Sequence, residues 1–221
     1  MEEQYKIQEL LSGEFKDQEV LVQGWVRTFR SSKHFGFITL NDGSTINNIQ
    51  IVVEVKNFSH EVIKKISTGS CLSIAGELKS SEGKEQNLEV FAQTIIVLGE
   101  ADPQTYPLQP KKHSLEFLRE KTHLRFRTST FSAVFRVRHH LTFCIHKFFH
   151  ERGFYNLHTP IITGSDAEGA GEMFKVTNLN FDNPPKDERG QIDYTHDFFG
   201  KKTHLTVSGQ LQAELGALGL G

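Results

Sequence analysis

Cysteine is scarce in these 221 residues. Cys71 and Cys144 are the only two, far apart, with no metal or redox spacing between them. Such sparse use fits a reducing compartment rather than a disulfide framework. Long apolar runs are missing, so no segment is long enough to span a bilayer. The N-terminus, "MEEQYKIQEL", is acidic and polar where a secretory signal would be basic and then apolar, so a cytoplasmic location is expected. An excess of positive charge is missing as well. Lys and Arg total 25 against 27 Asp and Glu, giving a net charge of −2. That excludes a global field drawing the chain onto nucleic acid, and any RNA contact must come from a local patch. Tryptophan occurs once, at Trp25, whereas phenylalanine occurs 18 times. The remaining composition is that of an ordinary soluble globular chain, long enough for one large domain or two smaller ones.

The pattern divides the chain. Up to about residue 100 it reads mainly as strands. "EVLVQGWVRTF" alternates around Val20, Val22 and Trp25. "HFGFITLNDGSTINNIQIVVEV" is two β-rich runs joined by Asn41-Asp42-Gly43-Ser44, a strong turn signal. "NFSHEVIKKIS" reads as a short amphipathic helix with Phe58, Val62, Ile63 and Ile66 inward. "SCLSIAGEL" and "NLEVFAQTIIVLG" are two more strands. Three strands, a helix and two strands is the order of an OB-fold barrel, residues 1–100. Residues 101–114 lie in a proline-rich stretch and read as a linker. From 115 to 221 the pattern is mixed. A long helix is expected over Ser129–Arg152, stopped by Gly153. "FYNLHTPIIT" and "FKVTNLNF" read as strands, with a glycine-rich loop between them. "DNPPKDERGQIDYTHDFFGK" reads as a polar insertion.

Three places carry chemistry. The first barrel strands hold Trp25, Phe29, Phe35 and Phe37 interleaved with Arg27, Arg30 and Lys33, and single-stranded bases are read by such stacking platforms. Trp25 is expected in the core, while Phe35 is as well read in the core as on the surface. Gln50 adds an amide that both donates and accepts. In "SDAEGAGEMF", Gly169 and Gly171 follow Glu168, a carboxylate able to meet an ammonium group. In "VSGQL", Ser208 and Gln210 sit where a strand gives way to a helix, so a hydroxyl, an amide and free helix N–H groups can converge on a small zwitterion. His146 and His150 stand one turn apart. Lys147 takes the place where a zinc protease needs glutamate, and no third ligand is evident, so no metal site is expected. Arg136, Arg138, His139 and His140 read as the polar face of the long helix or a dimer contact.

The long helix, the Gly-Phe-Tyr break, the strand with Pro160 and the glycine-rich loop resemble motif 1 of class II aminoacyl-tRNA synthetases. With the barrel ahead of it, the chain is similar to the aspartate, asparagine and lysine subgroup. "TPIITGSDAEGAGEMF" and "LTVSGQLQAEL" resemble the asparagine enzymes most. The resemblance implies an OB-fold barrel followed by an incomplete α+β class II catalytic domain, an antiparallel sheet with flanking helices. It implies an ATP-dependent asparagine–tRNA ligase working through an aminoacyl-adenylate, with ATP and Mg2+ required. Its partners would be asparagine tRNA, asparagine and a second copy of the chain. It implies that Arg30, Phe37 and Gln50 contact the anticodon, Gln50 reading the central uridine. Glu168, Ser208, Gln210 and Glu214 would bind the amino acid, and Pro160 would lie at the dimer interface. Aspartate enzymes place a lysine where this sequence has Ala213, which argues for the neutral carboxamide. The family's motif 2 (Phe-Arg-x-Glu) and its Gly-rich, arginine-ended motif 3 do not occur here. The stretch therefore reads as the amino-terminal part of such an enzyme, with no catalytic residue of its own and inactivity alone implied. Alternatives from other classes are a non-catalytic tRNA-binding or dimerising protein and, more weakly, an aspartate-charging relative.

Overall fold

A computed structural model describes residues 4–81, 87–167, 169 and 172–220. The chain forms two compact units, Met1–Leu141 and Thr142–Gly221.

The first unit is a closed barrel. Its strands are β1 (Gln4–Tyr5), β2 (Glu19–Ser31), β3 (Phe35–Asn41), β4 (Ile49–Glu54), β5 (Cys71–Ser80) and β6 (Leu88–Gly99). The order is β1-β2-β3-β4-β6-β5, and β5 pairs back onto β2 to close the ring. The expected order of three strands, a helix and two strands is present as β2 to β6. The helix between them is shorter than its pattern. Only His60–Lys65 (α2) is α-helical, capped by the Ser59 hydroxyl, which accepts the Val62 N–H. Ile66 is buried, and Phe58, Val62 and Ile63 pack against the core as their spacing requires.

The short N-terminal elements carry no strong pattern and were not expected. β1 pairs in parallel with β2, and α1 (Ile7–Leu10) places Ile7 and Leu10 fully inside the barrel core. Asp42 anchors that helix by accepting the Ile7 N–H at 2.9 Å. Alternation then fills the interior: Val20, Val22, Val26, Ile38, Leu40, Ile49, Ile51, Val53, Ile74 and Val90 are all buried. Burial at about 25 cal/mol per Å2 makes this cluster the main stabilising element.

Trp25 departs from expectation. Its neighbours Gly24 and Val26 face inward, so strand alternation turns the indole outward. There it is half-buried beneath the Arg127 guanidinium, 4.5 Å from the ring centroid. The stretch 101–114 has no helix or strand, as expected, yet it is docked. Leu108 is buried, and the Tyr106 ring lies where a Cβ on Gly69 would fall, 2.6 Å away. Helix α3 (Leu115–Glu120) follows, capped by Ser114. Helix α4 is Ser129–His150, and Gly153 at φ 82° ends it as expected.

The second unit holds a three-stranded antiparallel sheet, β7 (Ile162–Thr163), β9 (Thr203–Leu205) and β8 (Lys175–Val176), in the order β7-β9-β8. The two expected strands thus shrink to two residues each. A strand exists only where a ladder partner exists, and β9 offers just three residues. Helix α5 (Gln210–Leu220) closes the unit. The apolar stripe of α4 is not covered: Val137, Leu141, Ile145 and Phe148 are each at least half exposed. Among the described residues no apolar side chain after Leu118 is buried.

Barrel closure depends on Gly76, where a Cβ would come within 2.1 Å of the Phe91 carbonyl oxygen on β6. Gly76→Ala is expected to cost about 1–3 kcal/mol or more through forced backbone shift. Gly99→Ala, whose Cβ meets only Cys71 Cβ at an ordinary 3.7 Å, should stay within about 0.5 kcal/mol. Urea denaturation of both variants checks this, and equal costs would refute it.

Candidate functional site

The expected anticodon residues come together on the outside of the barrel. Ile38, Ile51 and Val90 face the core, so the alternate residues of β3, β4 and β6 face out. Strand register then sets two parallel rows. Arg30, Phe37, Val52 and Phe91 are successive cross-strand partners over β2, β3, β4 and β6. Thr28, Thr39, Gln50 and Glu89 form the next row, about 7 Å along the strands. Phe35 and Phe37 are 44% and 41% exposed, so both present ring surface to solvent. Val52 lies between Phe37 and Phe91 and is almost covered. Arg30 is exposed beside Phe37.

Gln50 is oriented. Its Nε2 donates to Glu89 Oε1 at 3.0 Å, and the Ser81 hydroxyl donates to the same oxygen. With the nitrogen turned to Glu89, the carbonyl oxygen is left as an acceptor for a ligand. Thr28 Oγ1 donates to Thr39 Oγ1 at 2.8 Å and completes the row. Glu89, Val52 and Phe91 were not singled out from the sequence. Only the parallel β4–β6 pairing, between residues far apart in the chain, brings them here.

The second candidate region lies in residues 142–221. Ser208 Oγ accepts the Gln210 N–H at 3.1 Å, and Thr206 Oγ1 donates to the Ser208 carbonyl at 2.6 Å. This turn carries the chain from β9 into α5. It lies beside the segment holding Pro160: the Thr206 N–H donates to Ile161 O at 2.8 Å, and a Cβ on Gly209 would meet Thr159 Oγ1 at 2.5 Å. Gln210 and Glu214 are exposed, as is Pro160. Ala213 lines a cavity with Leu157, Gly216 and Leu220, and the next residue, Glu214, points roughly 100° away around the helix. Glu168 lies outside the described residues.

Asp197 ties the sheet to the polar insertion. Its Oδ1 accepts the N–H groups of Asn178 and Phe198 at 3.0 and 2.8 Å. The Thr177 hydroxyl first, then these amides, hold its carboxyl below the usual aspartate value. The stability it contributes is therefore present above the ordinary aspartate range and is lost as pH falls through the lowered folded value. Among the described residues no group of three His, Cys, Asp or Glu side chains could hold a metal ion, and no helix is long and apolar enough to cross a membrane.

Residues 20–98 match the family model for OB-fold nucleic acid binding domains, and residues 114–214 match that for class II tRNA synthetases (D, K and N). The chain thus carries an OB-fold domain followed by part of a class II synthetase domain. It is 58% identical over 218 residues, 98% of its length, to an asparagine–tRNA ligase of Cytophaga hutchinsonii. It is 59% identical over 216 residues to the asparagine–tRNA ligase of Phocaeicola vulgatus. It spans about half the length of these curated relatives, 47% and 46% respectively. Among solved structures it is similar to an asparaginyl-tRNA synthetase from Pyrococcus horikoshii complexed with asparaginyl-adenylate. That match has TM-score 0.78 and 25% identity, and covers 100% of this chain and 46% of that one. A putative aspartyl-tRNA synthetase from Leishmania major shares the fold, with TM-score 0.75 over 99% of this chain and 41% of its own.

The outward rings should be dispensable for folding. Phe37→Ala is expected to change stability by about 1 kcal/mol or less, because much of the ring is already in water. Ile38→Ala, one residue on but inside the core, should cost about 2–5 kcal/mol. Thermal unfolding of both variants measures this, and a larger loss for Phe37→Ala would place that ring in the core.

Proposed function

We propose that this stretch is the anticodon-reading and amino-acid-recognising part of an asparagine–tRNA ligase. The observation that carries the reading is the solvent-facing row of Arg30 and Phe37 with the oriented amide of Gln50 beside it, on a barrel whose relatives at 58% identity are asparagine–tRNA ligases. Phe37 offers a stacking face to an anticodon base. Gln50 offers its acceptor oxygen and remaining N–H to the edge of the central uridine. Arg30 holds a neighbouring phosphate.

In the second region, Ser208, Gln210, Glu168 and Glu214 are proposed to receive asparagine. Ser208 is held at the head of α5, so its hydroxyl is fixed rather than free to rotate away. No cationic side chain stands at position 213, which leaves a carboxamide better served than a carboxylate. The half-exposed stripe of α4 and the segment around Pro160 are proposed to meet a second copy of the chain. The compartment is proposed to be the cytoplasm.

The whole ligase consumes ATP with Mg2+. Charge then develops on phosphate oxygens and needs arginine and metal opposite it. The described residues offer no three-ligand metal cluster, and the sequence has no Phe-Arg-x-Glu pattern. The residues present do not fit that group, so no step of adenylate formation is assigned to them.

The 221-residue chain should bind the anticodon arm of asparagine tRNA with an affinity that falls as salt rises. Phe37→Ala should weaken binding by about 1–3 kcal/mol. Gln50→Leu, which removes the amide without setting a second carboxylate against Glu89, should lose the preference for the central uridine. The check is a fluorescence titration with the arm and with a copy altered at the central base. Unchanged binding in a folded Phe37→Ala protein would end the anticodon assignment. The same chain should give no asparagine-dependent ATP–pyrophosphate exchange, and steady exchange above background would require another phosphate-binding group.

A further inference from the structure

A second cationic cluster lies within residues 1–141, on groups the anticodon row does not use. A cavity of about 550 Å3 is lined by Arg27, Arg127, Arg136, His123, His139 and His140. Among the described residues no carboxylate lines it, and its apolar walls are Trp25, Phe126 and Phe135. The volume lies in the range of small-molecule sites.

Arg27 is placed there by an irregularity in the sheet. The β2–β3 register passes from Val26↔Leu40 to Thr28↔Thr39, leaving Arg27 as the extra residue of a bulge. Bulges re-aim a side chain, and here the following turn fixes the geometry. The Val26 N–H donates to Ser70 O, the Gly69 N–H donates to Val26 O, and Thr68 Oγ1 donates to Arg27 O. The guanidinium has one distant neutral acceptor, Asn41 Oδ1 at 3.4 Å. Asn41 is itself buried and committed to the turn, accepting the Gly43 N–H and donating to Thr45 O and Asn47 O. Burial first, and the charge of Arg127 as well, pull Arg27 below the ordinary arginine value, with Tyr106 acting the other way.

The other two arginines are also held without an acid. Arg127 lies over the Trp25 ring, and Arg136 donates to Gly43 O at 2.5 Å. Among the described residues none of the three forms an ion pair. Asp42, next to Gly43, is engaged with the Ile7 N–H and with Ser44. Guanidinium groups that line one cavity and are partly desolvated raise the free energy of the empty site, and an anion lowers it. A single carboxylate would neutralise one of three. A phosphate carries more charge and more acceptor oxygens, and the guanidinium fork matches its geometry.

We propose that this cavity is a phosphate-binding site in which Arg27, Arg127 and Arg136 hold one oxyanion between them. The phosphate could be supplied by an RNA backbone or by free phosphate, and the chemistry is shared. The site does not depend on the anticodon reading.

The test uses the full chain with inorganic phosphate and, separately, with the anticodon-arm hairpin. Ionic strength is matched throughout with chloride. Phosphate should raise the melting temperature saturably where chloride does not. The Arg127→Gln/Arg136→Gln double variant should lose phosphate affinity at least tenfold without melting lower in chloride, since it removes like-charge repulsion. Arg27→Gln serves as an independent second variant. Lys111→Gln/Lys112→Gln removes the same charge elsewhere and should change neither ligand's binding more than twofold. A tenfold loss of hairpin binding in the arginine variant assigns the site to RNA backbone, and loss of free phosphate alone assigns it to the free ion. Phe37→Ala should leave phosphate binding unchanged, so failure of the anticodon reading is separable. No effect in either arm, or equal losses in the lysine control, overturns the site. Altered self-association on sedimentation with no phosphate binding also overturns it, placing an acidic surface of a second copy there instead.

Discussion

Closure of the barrel through β2 is the constraint on which the rest depends. This 13-residue strand pairs with β5 over Glu19–Trp25 and with β3 over Trp25–Ser31, so one strand joins both ends of the sheet. A closed sheet has no edge to protect and encloses a core that an open sheet of this size would expose. Closure needs close backbone approach, supplied by Gly24 against Asn41 O and Gly76 against Phe91 O. It also needs a change of direction along β2, supplied by the bulge at Arg27. The same closure fixes Arg30, Phe37 and Gln50 in adjoining rows. The proposed recognition surface is a by-product of core packing, held by Ile38, Ile51 and Val90 beneath it.

Much of this is legible in the sequence. Alternation in β2, β3 and β4 shows which residues face inward, because a half-buried strand has period two. The Asn-Asp-Gly-Ser turn locates the reversal between β3 and β4, and Gly153 locates the end of α4. Trp25 shows the limit. Its size argues for burial, but its parity with Val26 turns it outward, and parity decides because the strand is anchored by many residues. The bulge at Arg27 cannot be read locally, since it is a property of register between two strands. Helix α1 is four residues long, too short for a periodic signal, and its burial follows from the barrel mouth it fills.

The site was legible to the degree that its parts are sequence neighbours. Arg30 and Phe37 sit on adjacent strands, and Ser208 and Gln210 lie within one turn. Glu89 reaches Gln50 only through a parallel pairing of two strands with a helix and another strand between them. The arginines at 27, 127 and 136 come from a strand bulge, a short 3₁₀ turn and a long helix. No local pattern relates them. Only the cavity they share, with no carboxylate among its described lining residues, relates them chemically.

The two units differ in what holds them. Residues 1–141 carry the whole buried apolar cluster, whereas residues 142–221 rely on short ladders, the Asp197 hydrogen bonds and glycine contacts such as Gly216 against Leu157. Hydrogen bonds between neutral groups contribute only about 1 kcal/mol each, so polar closure without apolar burial leaves little margin. The exposed stripe of α4, with Phe149 beside it and Phe154 and Tyr155 beyond it, is far more apolar surface than scattered side chains would give. Such a surface is stable in water only when something covers it. The RNA binding proposed above would rest on the barrel, whose side chains are already fixed by its own core. The amino-acid recognition proposed at Ser208 and Gln210 rests on a turn held by hydrogen bonds alone, so the two halves of the proposed activity place different demands on the same chain.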